Sequence, residues 1–109
     1  MSSVIKTFQP SGILDGIQGT QLRREITSAV DTGVEIVLLD LQDITFMNSS
    51  GLGTLLAALR TVKTTGGNIF ICSLNQQVKM MFKMTKMERV FKVFNNQDEF
   101  KTAILQHQE

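Results

Sequence analysis

Residues 36–53 read IVLLDLQDITFMNSSGLG, and this stretch sets the architecture of the chain. It opens with four continuously apolar residues, Ile36 to Leu39, a composition typical of a strand that is covered on both faces of a sheet. From position 52 onward the apolar residues recur at helical spacing, as Leu52, Leu55, Leu56, Leu59 and Val62. The stretch therefore predicts a buried strand near the centre of a sheet, followed by a helix that begins near Ser50.

The same alternation continues on both sides of this stretch. Upstream, apolar residues at helical spacing from Thr20 predict a helix that ends at Gly33. Downstream, Gly66 and Gly67 end the central helix, and residues 69–72 form a second continuously apolar strand. Strands separated by helices predict an α/β fold with parallel strands and right-handed crossovers.

The ends of the chain carry weaker structural signals. Residues 4–8 and 12–15 are typical of short strands, and Pro10 between them predicts a turn and hence an N-terminal hairpin. Asn75 is placed to cap a short helix, and residues 90–94 alternate like an edge strand. Asn96 and Glu99 then stand in capping-box spacing ahead of a last helix.

Length and composition narrow the class of protein. The 109 residues suit one domain, and a hydrophobic content of 42% with 19% charged residues predicts a folded chain. A net charge of +1 does not favour nucleic-acid binding. The longest apolar run, residues 55–59, is far shorter than the roughly 20 residues of a membrane-spanning helix. Since the N-terminus also lacks a secretory signal, we expect a cytoplasmic domain that binds neither nucleic acid nor membrane.

Few residues are suited to catalysis or metal binding. The one histidine, His107, lies close to the end of the sequence, so a serine or cysteine nucleophile has no base. Cys72 lies in an apolar strand and is interpreted as a buried hydrophobe. Asp40 and Asp43 could flank a cation, but a third ligand is not apparent and a solvated loop is the more common arrangement. We therefore expect a protein that is not an enzyme and that carries no metal or cofactor.

The turn from Asn48 to Gly51 is the most informative segment, because it precedes the first turn of a strongly periodic helix. A serine at this place is first of all an N-cap. Free backbone N–H groups and the helix dipole would also stabilise negative charge there, including that of a phosphorylated serine. Both roles are compatible, since a phosphate would add about −1.5 to −2 charge at pH 7 without unfolding the domain.

The segment Phe46-Met47-Asn48-Ser49-Ser50-Gly51-Leu52-Gly53 resembles the signature of the STAS domain, specifically of the stand-alone bacterial anti-sigma factor antagonists. Gly12-Ile13-Leu14-Asp15 is similar to an early strand end of that family, and the order of elements agrees over nearly the whole chain. The resemblance implies a single STAS domain over residues 1–109. Its expected fold is α/β and STAS-like, with about four helices packed on a mixed sheet of four to five strands.

The resemblance also implies a partner switch. The unphosphorylated form is expected to bind an anti-sigma factor that is a serine kinase resembling histidine-kinase-type ATPases, which frees the sigma factor. Phosphorylation of the serine that follows position 48, which is Ser49, is expected to reverse this, and a metal-dependent serine/threonine phosphatase resets the switch. The implied partner-binding residues are Asp15, Asn48, Ser49, Ser50 and Leu52.

Position 48 departs from the usual pattern of the family, which mostly has Asp where this chain has Asn48. Asn keeps an oxygen that can cap the helix, but it lacks the anion that could orient a kinase, a phosphatase or a basic partner residue. Loss of that charge also removes repulsion toward a neighbouring phosphate. These two effects oppose each other, and the sequence leaves their balance open.

Two alternatives belong to other classes of function. A nucleotide or another anion could bind at the helix N-terminus without covalent modification, which would make the chain a small-ligand sensor. A constitutive scaffold is the second alternative, if Asn48 abolishes phosphorylation. The sequence does not indicate an oligomeric state.

One region combines positive charge with methionine. Only Glu88 opposes its five basic residues, which are Lys79, Lys83, Lys86, Arg89 and Lys92. Four methionines lie among them: Met80, Met81, Met84 and Met87. A solvated basic face, and methionines that belong to the ordinary core or to a helix end, are the common interpretations; a contact with an acidic or adaptable protein partner is the alternative.

Overall fold

Strands and helices alternate along the chain in a computed structural model, which describes residues 4–108 apart from the side chains of Leu105, His107 and Gln108. The strands are β1 (Ile5–Phe8), β2 (Gly12–Leu14), β3 (Ile36–Asp40), β4 (Ile44–Met47), β5 (Asn68–Cys72) and β6 (Lys92–Phe94). The helices are α1 (Gly16–Asp31), α2 (Ser49–Thr64), α3 (Gln76–Met84) and α4 (Gln97–Gln108). A 3-10 turn, Met87–Arg89, lies between α3 and β6.

The strands form two sheets in which every described pair is parallel. The larger sheet has four strands in the order β1-β3-β5-β6, and β2 pairs with β4 in a second sheet of two strands. The two continuously apolar runs of the sequence, β3 and β5, occupy the interior positions of the larger sheet, and the alternating strand β6 lies at its edge. Parallel neighbours require crossover connections, and helices supply most of them.

The predicted α/β class with four helices is confirmed, and two details within it differ. The larger sheet is parallel throughout, whereas the expected sheet was mixed. The N-terminal hairpin is wrong, because Ile5 pairs with Ile36 and Gly12 pairs with Ile44, so the segment around Pro10 connects two sheets. A local turn signal does not reveal that both strands find their partners beyond α1.

Both faces of the larger sheet are covered. Alternate side chains of β3 point to opposite sides: Val37 and Leu39 belong to the main core with α1, α2 and α3, whereas Leu38 packs with Phe100 of α4. This burial on two faces explains why β3 is apolar at consecutive positions. The terminal residues of the predicted 1–109 domain, residues 1–3 and 109, lie outside the described part of the chain.

The first turn of α2 lies unusually close to β2 because it contains a glycine. A Cβ atom added to Gly51 would overlap the backbone carbonyl oxygen of Leu14, which cannot move without shifting β2. A Cβ on Gly53, two residues later in the same helix, would meet no atom within 4 Å. Alanine substitutions at these two glycines therefore distinguish the cost of a steric clash from the gain in helix propensity.

We expect Gly51→Ala to destabilise the protein by about 1–3 kcal/mol, the usual cost of forcing extra volume into a packed site. Gly53→Ala should instead stabilise it by about 0.5–1 kcal/mol, because alanine is the better helix former. Urea unfolding of both variants measures the difference. Equal effects of the two substitutions would show that the close approach of α2 to β2 is absent.

Candidate functional site

Two strand–helix junctions lie side by side at one edge of the smaller sheet. Leu14 and Met47 are partners in the parallel register of β2 and β4, so the residues that follow them, Asp15 and Asn48, leave the sheet together. Each is the N-cap of the next helix: a carboxylate oxygen of Asp15 accepts from the Gln18 amide at 2.9 Å, and Asn48 Oδ1 accepts from the Gly51 amide at 2.8 Å. The N-termini of α1 and α2 therefore open at the same place.

Ser49 and Ser50 are exposed on the first turn of α2. The first intrahelical bond runs from the Leu52 amide to the Asn48 carbonyl at 3.0 Å, so the amides of both serines lie at the open, electropositive end of the helix. No acidic residue lies in this turn of α2. A hydroxyl here is accessible to a modifying enzyme, and the helix end stabilises an added negative charge.

The two serines face different neighbours. A Cβ on Gly16 would lie 3.2 Å from Ser50 Cβ, so Ser50 is on the side of α1. Ser49 lines a groove on the side of α3. A group attached to Ser49 would therefore lie at the edge of this groove, beside α3.

Helix α3 holds the strand that precedes the serines. Gln77 Oε1 accepts from the Met47 amide at 2.8 Å, and Gln77 Nε2 donates to the Met47 carbonyl at 2.8 Å. This side-chain amide thus takes the place of a neighbouring strand at the last residue of β4. Asn75 adds a second tie, since its Nδ2 donates to the Ile44 carbonyl at 3.0 Å while its Oδ1 caps α3 at the Val78 amide at 2.9 Å.

The structure brings together four of the five residues that the resemblance implied for partner binding. Asp15 and Asn48 are half-buried, and Ser49 and Ser50 are exposed. Leu52 is only 7% exposed and packs in the main core, so it supports α2 from inside and offers a partner little surface. Sequence reasoning missed Gln77, because no local pattern marks a glutamine whose amide binds a strand 30 residues away.

The other candidate side chains have structural partners. Asp40 is buried and accepts from Gln97 Nε2 at 2.6 Å, whereas exposed Asp43 accepts from Gln9 Nε2 at 2.9 Å. The expected solvated position is therefore wrong for Asp40. Burial, with a smaller contribution from Asp40, raises the pKa of the Cys72 thiol, which agrees with a buried hydrophobe and not with a nucleophile. The side chain of His107 lies outside the described residues.

The described residues form neither a metal-binding cluster nor a membrane-spanning helix. Among residues 4–108, no group of three His, Cys, Asp or Glu side chains is arranged to hold a metal ion. In the same part of the chain, none of the helices has the length and apolar character needed to cross a bilayer.

Comparison with known proteins gives consistent matches. A family model described as the STAS domain matches residues 2–100. BtrV of Bordetella bronchiseptica, whose name marks it as a proposed anti-sigma factor antagonist, is 28% identical over 85% of this chain and 84% of its own length. The anti-sigma F factor antagonist of Paenibacillus polymyxa is 27% identical over 80% of this chain and 75% of its own length.

A solved structure agrees with these sequence matches. The Bacillus cell fate determinant SpoIIAA, in its phosphorylated form, superposes with a TM-score of 0.70 at 17% identity, covering 94% of this chain and 93% of that chain. At this level of identity the likeness is one of fold. The STAS-like fold that the sequence predicted is thereby confirmed.

We expect Gln77→Ala to leave both backbone groups of Met47 without a partner and to destabilise the protein by about 1–3 kcal/mol. The Met47 amide should then exchange with solvent faster than the amides of β3 and β5. Hydrogen exchange and urea unfolding measure these changes. The matched control is Gln76→Ala, an exposed neighbour on the same helix. If both variants behave alike, the side chain of Gln77 does not hold β4.

Proposed function

The chain belongs to the STAS domain family, and on that premise we propose that it is an anti-sigma factor antagonist controlled by phosphorylation of Ser49. In the unphosphorylated state it binds an anti-sigma factor that is also a serine kinase, and the sigma factor is released. A metal-dependent serine/threonine phosphatase removes the phosphate. The names of two relatives, an anti-sigma F factor antagonist and a proposed antagonist, support the general role.

The observation that carries the switch is the position of Ser49. Ser49 is an exposed residue on the first turn of α2, and that turn is held to the rest of the fold by the Asn48 cap and by the Gly51 contact with β2. A phosphate can be added there without opening the core. The structural neighbour SpoIIAA, which has been solved in a phosphorylated form, supports the idea that this fold accommodates such a group.

The proposed partner surface consists of the two helix N-termini, with Asp15, Asn48, Ser49 and Ser50. A phosphate on Ser49 adds about −1.5 to −2 charge, which must be desolvated if the partner is to bind the same surface. A loss of about 3 kcal/mol weakens binding more than a hundredfold. This local penalty is sufficient for a switch and requires no change of fold.

Asn48 retains the structural part of the role that Asp has in most of the family. Its amide oxygen caps α2 at the Gly51 amide, as a carboxylate would. It adds no negative charge beside Ser49, so Asp15 supplies the carboxylate at this pair of junctions. We infer that the cap positions the serine and that repulsion of the phosphate is smaller than in relatives with Asp.

A small-ligand sensor is the weaker alternative. The groove beside Ser49 is lined by Gln77, Met80, Met81, Met84 and Thr85, which include no cation to pair with a nucleotide phosphate. Saturable heat on titration with ATP or GTP would favour the sensor.

We further propose that the chain acts in the cytoplasm as one domain and catalyses no reaction of its own.

We expect Ser49→Asp to weaken binding of the anti-sigma partner by about a hundredfold, because the new carboxylate must be desolvated in the interface. Ser49→Ala should bind as the parent does. The partner is first captured from native cells with the unmodified protein and identified by mass spectrometry. It is then purified for affinity measurement by calorimetry.

The matched control for this experiment is Ser28→Asp, which places the same charge on an exposed serine in the last turn of α1, at the opposite end of that helix from Asp15. It should leave the affinity unchanged. If Ser49→Asp binds the captured anti-sigma factor as tightly as the parent, the proposed switch is wrong. Capture of proteins that include no anti-sigma factor would contradict the proposed role as an antagonist.

A further inference from the structure

A methionine-lined groove lies beside the proposed phosphorylation site. We define the methionine groove as the concavity of about 360 Å³ whose wall is formed by Ser49, Gln77, Met80, Met81, Met84 and Thr85. Met80 is 64% exposed and Met84 is 77% exposed. Neither residue of this pair is an ordinary core methionine, although Met84, as the last residue of α3, does lie at a helix end, as the common interpretation allows. Met81 and Met87 do pack against the main core.

The exposed methionines form a continuous apolar surface on one side of α3. Residues 77, 80, 81, 84 and 85 follow the spacing of one helical face, and that face meets the first turn of α2 at Ser49. Methionine is flexible and polarisable, so such a surface can adapt to the side chains of a bound helix. The fold leaves this face uncovered at a place where a partner is expected to bind.

Charge on the same helix indicates the chemistry of the occupant. Lys79 and Lys83 are exposed on α3, and Lys83 is three residues from Met80, which makes the two side chains neighbours on the helix surface. The sequence contains no acidic residue between Asn75 and Met87. Lys83 therefore borders the apolar surface with positive charge on the Met80 side, whereas Lys79 lies farther round the helix, and this border complements an acidic ligand.

We propose that the methionine groove docks an amphipathic helix of the anti-sigma partner, with apolar side chains over Met80 and Met84 and acidic side chains over Lys83. This inference rests on the proposed function, since it names the partner element that contacts the surface around Ser49. Helix-in-groove recognition of this kind uses anchors at positions i, i+3, i+4 and i+7 of the ligand.

The position of Ser49 in the wall of the methionine groove links docking to phosphorylation. A phosphate there would lie in the wall that the occupant's apolar face covers, so it would have to be desolvated on binding. The groove therefore supplies a specific source for the loss of affinity that the switch requires.

A synthetic peptide tests the docking directly. The probe is a 16-residue amphipathic helix with Leu and Met at i, i+3, i+4 and i+7 and with Glu on both flanks; its partner probe has Lys in place of every Glu. Methionine methyl signals of the intact protein are followed by NMR during titration. The acidic probe should shift the Met80 and Met84 methyls saturably, while buried Met47 serves as the internal reference.

Substitutions make the test specific. Lys83→Glu should weaken the acidic probe about two- to fivefold, the range expected for an exposed ion pair. Lys63→Glu is the matched control, because Lys63 lies in the last turn of α2 as Lys83 does in α3, and both substitutions change the net charge by the same amount. It should leave the affinity for the acidic probe unchanged. Replacing both Met80 and Met84 by Gln should weaken it about tenfold or more, because apolar contact area is lost.

The proposal is overturned if the acidic probe gives no saturable shift, or if the lysine probe binds as tightly. Shifts of the Met80 and Met84 methyls on simple dilution, without peptide, would assign the groove to a second copy of the chain and would also overturn it. The phosphorylation switch can fail independently of the groove. If the probe binds and Ser49 is unmodified in native cells, the docking proposal is supported and the phosphorylation switch is wrong. A phosphorylated Ser49 without probe binding would do the reverse.

Discussion

The geometry of the site depends on the close contact between Gly51 and the backbone carbonyl of Leu14. Only a residue without a side chain allows the first turn of α2 to lie against the end of β2. Because β2 and β4 are parallel partners, this contact brings the caps of α1 and α2 to one edge and turns Ser49 and Ser50 toward solvent. The exposure of the serines is thus a consequence of backbone packing and not of a flexible loop.

The same region is held from its other side by long-range polar contacts. The Gln77 amide binds both backbone groups of Met47, and Asn75 joins the start of α3 to β4. Ser49 follows this supported strand after one residue, Asn48, whose side chain is itself used as a cap. A modifying enzyme would therefore meet a preformed turn, and the proposed phosphate would act electrostatically at the surface.

Much of this arrangement could be predicted from the sequence, because its signals are local. The continuous apolar runs of β3 and β5 indicated interior parallel strands, and Asn75 was correctly expected to be a helix cap. The prediction of an N-terminal hairpin was wrong, because β1 and β2 pair with strands that follow α1, and the residues around Pro10 do not indicate those distant partners. Leu52 shows a different limit: its place in the apolar stripe of α2 predicted burial, while the resemblance assigned it to the partner surface, and the core contains it.

The methionine groove illustrates how sequence and structure contribute separately. The density of methionine and lysine in one region was visible in the sequence, but only the fold places Met80 and Met84 beside Ser49. The switch proposed for this surface depends on Ser49 being the residue at which a phosphate controls binding. Its most direct test is intact-mass analysis of the protein from native cells, grown with and without stress, followed by peptide mapping across residues 48–60. We expect one phosphate on Ser49 that is absent from Ser49→Ala, whereas a peptide that is unmodified under both conditions would show that Ser49 is not the switch.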